Sequence, residues 1–253
     1  MKFYEICFSP TGGTKKTADI LTNVLTDHAS LIDLTDRQTD FSKISLTPED
    51  VAVAAVPSYG GRVPAAAVKR LSAISGNGAR MILVCVYGGR AYEDTLAELV
   101  DTVRQSDFRA VAAVAAVAEH SIARQFASGR PDADDMAQLT KFAEKIHEKL
   151  ILGNMIEPSV PGDHPYKKYG VSSIVPKAGK NCVKCGLCAH KCPVGAIDVN
   201  DPKKTDSSIC ISCMRCISVC PHSARKVNAV MLTAVSTMLK KVCTERKECE
   251  LYL

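Results

Sequence analysis

Two hydrophobic periods alternate along residues 1–153 and predict an α/β domain. Short apolar runs, typical of buried parallel strands, are separated by stretches in which apolar residues recur every three or four positions. This order predicts a parallel sheet with helices between its strands. The predicted strands are Lys2–Ser9, Ser30–Leu34, Val51–Pro57, Arg80–Tyr87 and Arg109–Ala118.

Three helices are predicted in the same region from apolar residues that share one face. They cover residues 18–25, 92–103 and 136–150. The run at Arg109–Ala118 also fits a helix, because its valines recur every three residues. Its position after a complete helix favours a strand.

The rest of the chain divides into three segments. Residues 154–181 contain four prolines and neither hydrophobic period, so we interpret them as a linker between residues 1–153 and the segment that follows. Residues 182–227 hold an internal repeat, CVKCGLCAHKCPVGAI against CISCMRCISVCPHSAR. Residues 228–253 predict an amphipathic C-terminal helix that docks on one of the two domains.

The composition is that of a folded chain without a membrane span. Of the 253 residues, 46% are hydrophobic and 23% charged, which allows a sizeable core. The longest apolar run, Ala110–Ala118, has nine residues, whereas about 18 are needed to cross a bilayer. Glu5 interrupts what would be the apolar region of a signal peptide. We therefore expect a soluble, cytoplasmic protein with no membrane partner.

The cysteines are concentrated at the C-terminal end, with ten of the twelve in the last 72 residues. In a reducing compartment such crowding indicates metal binding rather than disulfides. Each half of the repeat reads C-x2-C-x2-C-x3-C-P, the spacing of a [4Fe–4S] site in which loop N–H groups stabilise the negative cluster. Structural zinc sites use two separated cysteine pairs instead.

Two [4Fe–4S] clusters are therefore predicted. In bacterial ferredoxins of this spacing, the fourth cysteine of each run ligates the other cluster. The predicted ligand sets are Cys182, Cys185, Cys188 and Cys220 for one cluster and Cys210, Cys213, Cys216 and Cys192 for the other. We interpret Cys7 and Cys85 as small core residues, and Cys243 and Cys249 as free thiols.

The charge of the C-terminal part does not indicate nucleic acid. Residues 154–253 carry 15 Lys and Arg against eight Asp and Glu, a net charge of +7. Two oxidised clusters with their thiolates would each add about −2 and leave about +3. Nucleic acid is therefore not a predicted partner.

The end of the first predicted strand has the composition of a phosphate-binding loop. A helix N-terminus offers unpaired N–H groups, and hydroxyl side chains add donors. The loop is neither a Walker A motif nor G-x-G-x-x-G, and it fits a terminal monophosphate better than a triphosphate. A capped helix without a ligand remains the alternative. The predicted phosphate ligands are Ser9, Pro10, Thr11, Gly12, Gly13 and Thr14.

Two later loops belong to the same edge of the sheet, where open α/β sheets bind ligands. Glycines there let the backbone approach a flat ring, and tyrosines offer a stacking face. The predicted ring-flanking residues are Pro57, Ser58, Tyr59, Gly60, Gly61 and Arg62 in one loop, and Tyr87, Gly88, Gly89, Arg90 and Tyr92 in the other.

Residues 1–153 resemble flavodoxins, and the whole chain resembles the flavodoxin–ferredoxin fusions called ferrodoxins. The motifs SPTGGT, PSYGGRVP, YGGRAYEDTLAEL and PYKKYG and the two cysteine runs carry the resemblance. It implies a flavodoxin-like five-stranded parallel sheet that binds FMN, a small α+β bacterial 2[4Fe–4S] ferredoxin-like domain and a C-terminal helix. The family more often has Asn at the position of Gly89, so one side-chain amide is missing here.

This combination predicts an electron-transfer flavoprotein that couples one-electron clusters to FMN, which holds one or two electrons. Its expected partner is a low-potential redox protein, as donor or acceptor; a homodimer stays open. The alternative is an FMN-dependent oxidoreductase that reduces a small molecule, with His120 or His164 as proton donor.

Arg62 and Arg90 suggest a further hypothesis about the flavin. A guanidinium beside the ring would stabilise the anionic two-electron-reduced form, since a nearby opposite charge favours a charged group. The clusters would then feed electrons to the flavin. The alternative is that both arginines are solvated turn residues.

Overall fold

The computed structural model describes residues 1–170 and 174–253; residues 171–173 of the predicted linker lie outside the described residues. The strands are β1 (Phe3–Cys7), β2 (Ala29–Asp33), β3 (Val51–Pro57), β4 (Arg80–Tyr87), β5 (Arg109–Val117), β6 (Lys177–Ala178), β7 (Arg225–Lys226) and β8 (Glu250–Tyr252). The α-helices are α1 (Gly13–Leu25), α2 (Ala65–Leu71), α3 (Thr95–Gln105), α4 (Ala133–Ile151), α5 (Leu187–His190), α6 (Arg215–Ser218) and α7 (Ala229–Lys240).

The first five strands form a parallel sheet in the order β2-β1-β3-β4-β5. This is the strand order of the flavodoxin-like doubly wound fold. The predicted five parallel strands are therefore confirmed, including β5, whose valine spacing also allowed a helix. Because the strands are parallel, the loops after β1, β3, β4 and β5 all lie at the carboxyl edge.

Helices cover both faces of this sheet and make two apolar layers. Helices α2 and α3 pack on one face, and α1 and α4 on the other. All seven residues of β3 are buried, as expected for a strand covered on both sides. Helix α2 was not predicted, because only seven residues form it and its apolar face is short.

The C-terminal segment returns to the sheet. The predicted helix over 228–253 ends at Lys240, and β8 pairs antiparallel with β5, with Leu251 opposite Val114. An exposed apolar strand at a sheet edge can pair with another chain and cause aggregation. Strand β8 covers the edge that β5 would otherwise expose. The sequence did not predict β8, because a strand of three residues that includes a charged one is too short to show an alternating pattern.

The predicted linker is packed against the protein over part of its length. The Asp94 carboxylate, at the start of α3, accepts hydrogen bonds from the backbone N–H groups of Asp163 at 2.9 Å and Lys167 at 2.6 Å. His164 Nε2 lies 2.7 Å from Asp101 Oδ2 on the same helix. Residues 163–167 are therefore held on α3.

The cysteine-rich region forms a small unit docked on the sheet domain. Strands β6 and β7 pair antiparallel and bring its two ends together. Arg70 of α2 donates to the carbonyl oxygens of Leu34 at 2.6 Å and of Pro193 at 2.5 Å, so it joins both parts. In the described residues, no helix has the length and apolar character needed to cross a membrane.

We expect a chain that ends before Glu250 to unfold at a temperature about 5 °C lower and to aggregate faster on heating. The reason is that β5, no longer paired with β8, becomes an exposed edge strand. Thermal scans at one heating rate, with light scattering, measure both effects. A chain lacking only the exposed Leu253 is the control. Equal aggregation of the two truncated chains would contradict this role of β8.

Candidate functional site

The loop after β1 forms an anion-binding geometry. Gly12 adopts a φ of 96°, and α1 begins at the next residue without a side-chain cap and without an acidic residue in its first turn. A Cβ at Gly12 would meet no atom within 4 Å, so the space beside the loop is open. The Ser9 hydroxyl accepts from the backbone N–H of Lys15 at 2.9 Å and closes the loop. The N–H groups of α1 are thus suited to a phosphate.

The two lysines that follow the loop are engaged elsewhere. Lys15 pairs with Asp19 and with the buried Glu5, whose Oε1 lies 3.3 Å from the ammonium group. Burial raises the pKa of Glu5, and the Lys15 charge opposes this effect. Lys16 donates to the carbonyl oxygen of Pro131 at 2.7 Å.

The loops after β3 and β4 contact each other at the same edge. The backbone N–H of Asp94 donates to the carbonyl oxygen of Gly61 at 3.0 Å. Gly61 has a φ of 88°, and a Cβ there would collide with the Glu93 side chain. The Ser58 and Thr95 hydroxyl oxygens lie 2.8 Å apart. The geometry brings the two predicted ring-flanking loops together.

Two of the predicted ring-flanking tyrosines have partners within the protein. Tyr87 is buried, and its ring packs against that of Tyr92 with centroids 5.1 Å apart. The Tyr92 hydroxyl lies 2.7 Å from the Tyr252 hydroxyl and donates to Glu250 at 2.9 Å. Tyr59, half-buried at the end of β3, is therefore the better candidate for stacking on a ring.

Both loop arginines are paired with carboxylates. Arg62 is buried and donates to both oxygens of Glu98, at 2.8 and 2.7 Å. Its guanidinium carbon also lies 4.8 and 4.2 Å from the ring centroids of Tyr166 and Tyr169 in the linker. Arg62 thus holds the linker to α3, and its charge is not free to stabilise a reduced flavin.

Arg90 makes a similar pair nearer the surface, with Glu93 oxygens at 2.8 and 3.1 Å. The Arg90 guanidinium holds the pKa of Glu93 at about 2, with a smaller lowering by Lys167. Because Glu93 is ionised at neutral pH, the Arg90 charge is compensated. The structure therefore gives no support to the hypothesis that these arginines raise the flavin potential.

The eight motif cysteines line two separate cavities. The first cavity contains Cys182, Cys185, Cys188 and Cys220, and the second contains Cys192, Cys210, Cys213 and Cys216. These are the two sets that the crossed pairing predicts. Four thiols around one cavity are a donor set suited to a [4Fe–4S] cluster. Ligation itself stays a prediction.

The two halves of the repeat have matching local structure. The Cys192 sulfur accepts a hydrogen bond from the N–H of Ala196, and the Cys220 sulfur accepts one from Ala224, both at 3.3 Å. Helices α5 and α6 each begin one residue before the third cysteine of their run. Backbone N–H groups near sulfur stabilise the negative charge that a bound cluster would carry.

The two cavities are neighbours at different depths. Cys188 of the first set lies in one apolar cluster with Cys192, Cys210 and Cys216 of the second. Cys185 is exposed, whereas Cys192 and Cys213 are buried. The first cavity is therefore nearer the surface.

The second cavity lies beside the loops of the sheet domain. The Nη1 group of Arg215, between two of its cysteines, donates to the carbonyl oxygens of Ser9 and Pro10 at 3.3 Å each. Ile211 packs on the core of the sheet domain. Burial raises the pKa of the Tyr59 hydroxyl well above its ordinary value.

His120 lies at the loop after β4, whereas His164 does not. The His120 ring lies so close to Gly88 that a Cβ on Gly88 would collide with it. Its Nδ1 accepts hydrogen bonds from the backbone N–H groups of Ile122 and Ala123 at 3.2 and 3.1 Å. Burial lowers the pKa of His120. The neutral ring therefore carries its proton on Nε2. His164 is exposed and paired with Asp101 of α3.

Comparison with known proteins agrees with the cysteine pattern. Residues 181–224 match the 4Fe-4S dicluster domain. The chain thus joins a flavodoxin-like sheet, identified by its strand order, to an iron–sulfur domain, as the resemblance to flavodoxin–ferredoxin fusions implies. No curated protein sequence is significantly similar to the chain.

Solved structures similar to the chain include several flavodoxins. One from Streptococcus pneumoniae TIGR4 is 21% identical, with a TM-score of 0.39, and the match covers 58% of this chain and 97% of that one. Flavodoxin 1 from Bacillus cereus is 14% identical, with a TM-score of 0.42 and coverage of 58% and 98%. A flavodoxin from the domain Archaea is 14% identical, with a TM-score of 0.44 and coverage of 60% and 99%.

We expect Glu98→Gln to lower the free energy of unfolding by about 3–5 kcal/mol, because it leaves the buried Arg62 charge without its carboxylate. Proteolysis should also become faster within residues 160–170. Glu93→Gln, which breaks the more exposed pair with Arg90, is the matched control and should cost below about 1 kcal/mol. Denaturant unfolding and timed proteolysis measure both. Equal stability of the two variants would contradict the anchoring role of Arg62.

Proposed function

We propose that this chain relays electrons between two [4Fe–4S] clusters and FMN, and so couples one-electron carriers to a cofactor that holds one or two electrons. When bound, the clusters supply one-electron transfer and the flavin collects or releases electron pairs. The chain itself contributes position, burial and charge. The relay needs no residue to act as a general acid or base.

One observation carries the proposal: the contact between the second cysteine cavity and the loops at the carboxyl edge of the sheet. Arg215 hydrogen-bonds the loop after β1, and Ile211, which lines the same cavity, packs on the core of the sheet domain. The second cavity in turn adjoins the first through Cys188 and Cys216. This supports the order first cluster, second cluster, flavin.

The exposed side of the first cavity supports a site for the redox partner. Cys185 is exposed there. A neighbouring groove is lined by Lys177, Lys180 and Lys226. Positive side chains favour encounter with a partner of opposite charge. We therefore propose an acidic, low-potential redox protein as the partner on this face.

The composition of the purified protein tests the cofactor content. Chains purified without oxygen should contain about eight irons and one FMN, with negligible zinc. Metal analysis and flavin extraction measure this content. Four irons per chain, or stoichiometric zinc, would contradict the two-cluster assignment, and absence of flavin would contradict the relay.

Cysteine variants test the crossed assignment and the order of the carriers. Cys192→Ala should perturb the EPR signal of the cluster held by Cys210, Cys213 and Cys216, and Cys220→Ala should perturb the other. Rapid-mixing reduction by an acidic ferredoxin should still reduce the first cluster in Cys192→Ala, while flavin reduction slows at least tenfold. If flavin reduction slows only in Cys220→Ala, the proposed order is wrong.

A second candidate function, reduction of a small molecule at the flavin, is favoured by one observation. His120 lies against the loop after β4 with a proton on Nε2, so it could donate to a substrate there. His120→Gln should then abolish turnover with small oxidants while leaving electron transfer to a protein partner unchanged. Oxidation of the flavin by a partner protein alone favours the relay.

A further inference from the structure

Among the described residues in the second half of the repeat, only Arg215 has a side chain that hydrogen-bonds the loop after β1. It lies between two predicted cluster ligands, Cys213 and Cys216, and its Nη1 donates to the carbonyl oxygens of Ser9 and Pro10. Its Nε is buried and has no hydrogen-bond partner among the described residues. A buried donor without an acceptor is costly, so an acceptor at this position would be stabilising.

The two lysines next to the loop that Arg215 contacts are engaged elsewhere and would not pair with a phosphate bound there. The α1 N-terminus offers N–H groups, but Lys15 is paired with Glu5 and Asp19, and Lys16 is bonded to the carbonyl oxygen of Pro131. Arg215 approaches the loop from the other domain. Guanidinium groups bind phosphate oxygens through several N–H donors at once.

We propose that Arg215 binds the phosphate group of the flavin cofactor, so that the cofactor is held jointly by the sheet domain and by the cysteine repeat. The inference rests on the proposed function, because it assumes that the loop after β1 holds FMN. It goes further by assigning a phosphate ligand outside the flavodoxin-like domain. Cofactor binding would then tighten the contact between the domains, since each stabilises the other.

The repeat itself supplies a matched substitution. Leu187 occupies in the first half the position that Arg215 occupies in the second, since each precedes the third cysteine of its run. Arg215→Leu therefore places in α6 a residue that α5 already contains at this position. Leu187→Arg adds the charge to the half that does not contact the loop after β1, and it is the control.

The test compares two flavins on full-length protein that retains its clusters and has been freed of flavin. FMN and riboflavin differ only in the phosphate, and quenching of flavin fluorescence on titration measures the Kd of each. Arg215→Leu should weaken FMN binding about tenfold or more and leave riboflavin binding unchanged, because only the phosphate loses a charged partner. Leu187→Arg should bind both flavins as the natural chain does.

Two results would overturn the assignment: an unchanged FMN Kd in Arg215→Leu, or equal weakening of FMN and riboflavin. Iron content and visible absorption establish that the clusters are intact, and Arg215→Gln replaces Arg215→Leu if they are not. If the natural chain binds neither flavin, the proposed function fails as well. If it binds both and Arg215→Leu does not discriminate between them, only the assignment of Arg215 fails.

Discussion

At the carboxyl edge of its parallel sheet this chain presents the N-terminus of α1, which has no side-chain cap. The second half of the cysteine repeat packs against this edge. The contact passes through Arg215, which donates to the backbone of the loop after β1. Ile211 of the same half packs on the core of the sheet domain. The second cavity therefore adjoins this edge of the sheet.

The crossing of the cysteines makes the repeat a single unit. Each cavity takes three cysteines from one run and the fourth from the other, so neither half can form its cavity alone. Cys188 of the first set packs with Cys216 of the second, which brings the two cavities together. The exposed Cys185 and the buried Cys213 therefore lie in neighbouring cavities of one unit.

Two segments outside the regular elements hold this arrangement in place. Residues 163–169 of the linker are fixed to α3 by Asp94 and by the buried Arg62–Glu98 pair. The C-terminal segment ends in β8 on the sheet, and its Lys247 donates to the carbonyl oxygen of Arg90. The linker contacts the loops after β3 and β4, and the C-terminal segment contacts the loop after β4.

The amino-acid sequence by itself determined the features that depend on neighbouring residues. The five parallel strands follow from apolar runs between helical periods, and the grouping of the cysteines follows from a spacing that recurs twice. The cavities bring together the same two sets of cysteines. The pairing of β6 and β7 joins the two ends of the repeat and so brings Cys220 to the first run.

The tertiary structure alone decided which distant residues become partners. Arg62 and Tyr92 belong to the predicted ring-flanking loops, and their partners, Glu98 and Tyr252, lie 36 and 160 positions away. Arg215 reaches Ser9 across 206 positions. No local pattern records such pairs, because a side chain's partner depends on which elements pack together. Strand β8 is missed for the same reason: three residues form a strand only where β5 offers an edge.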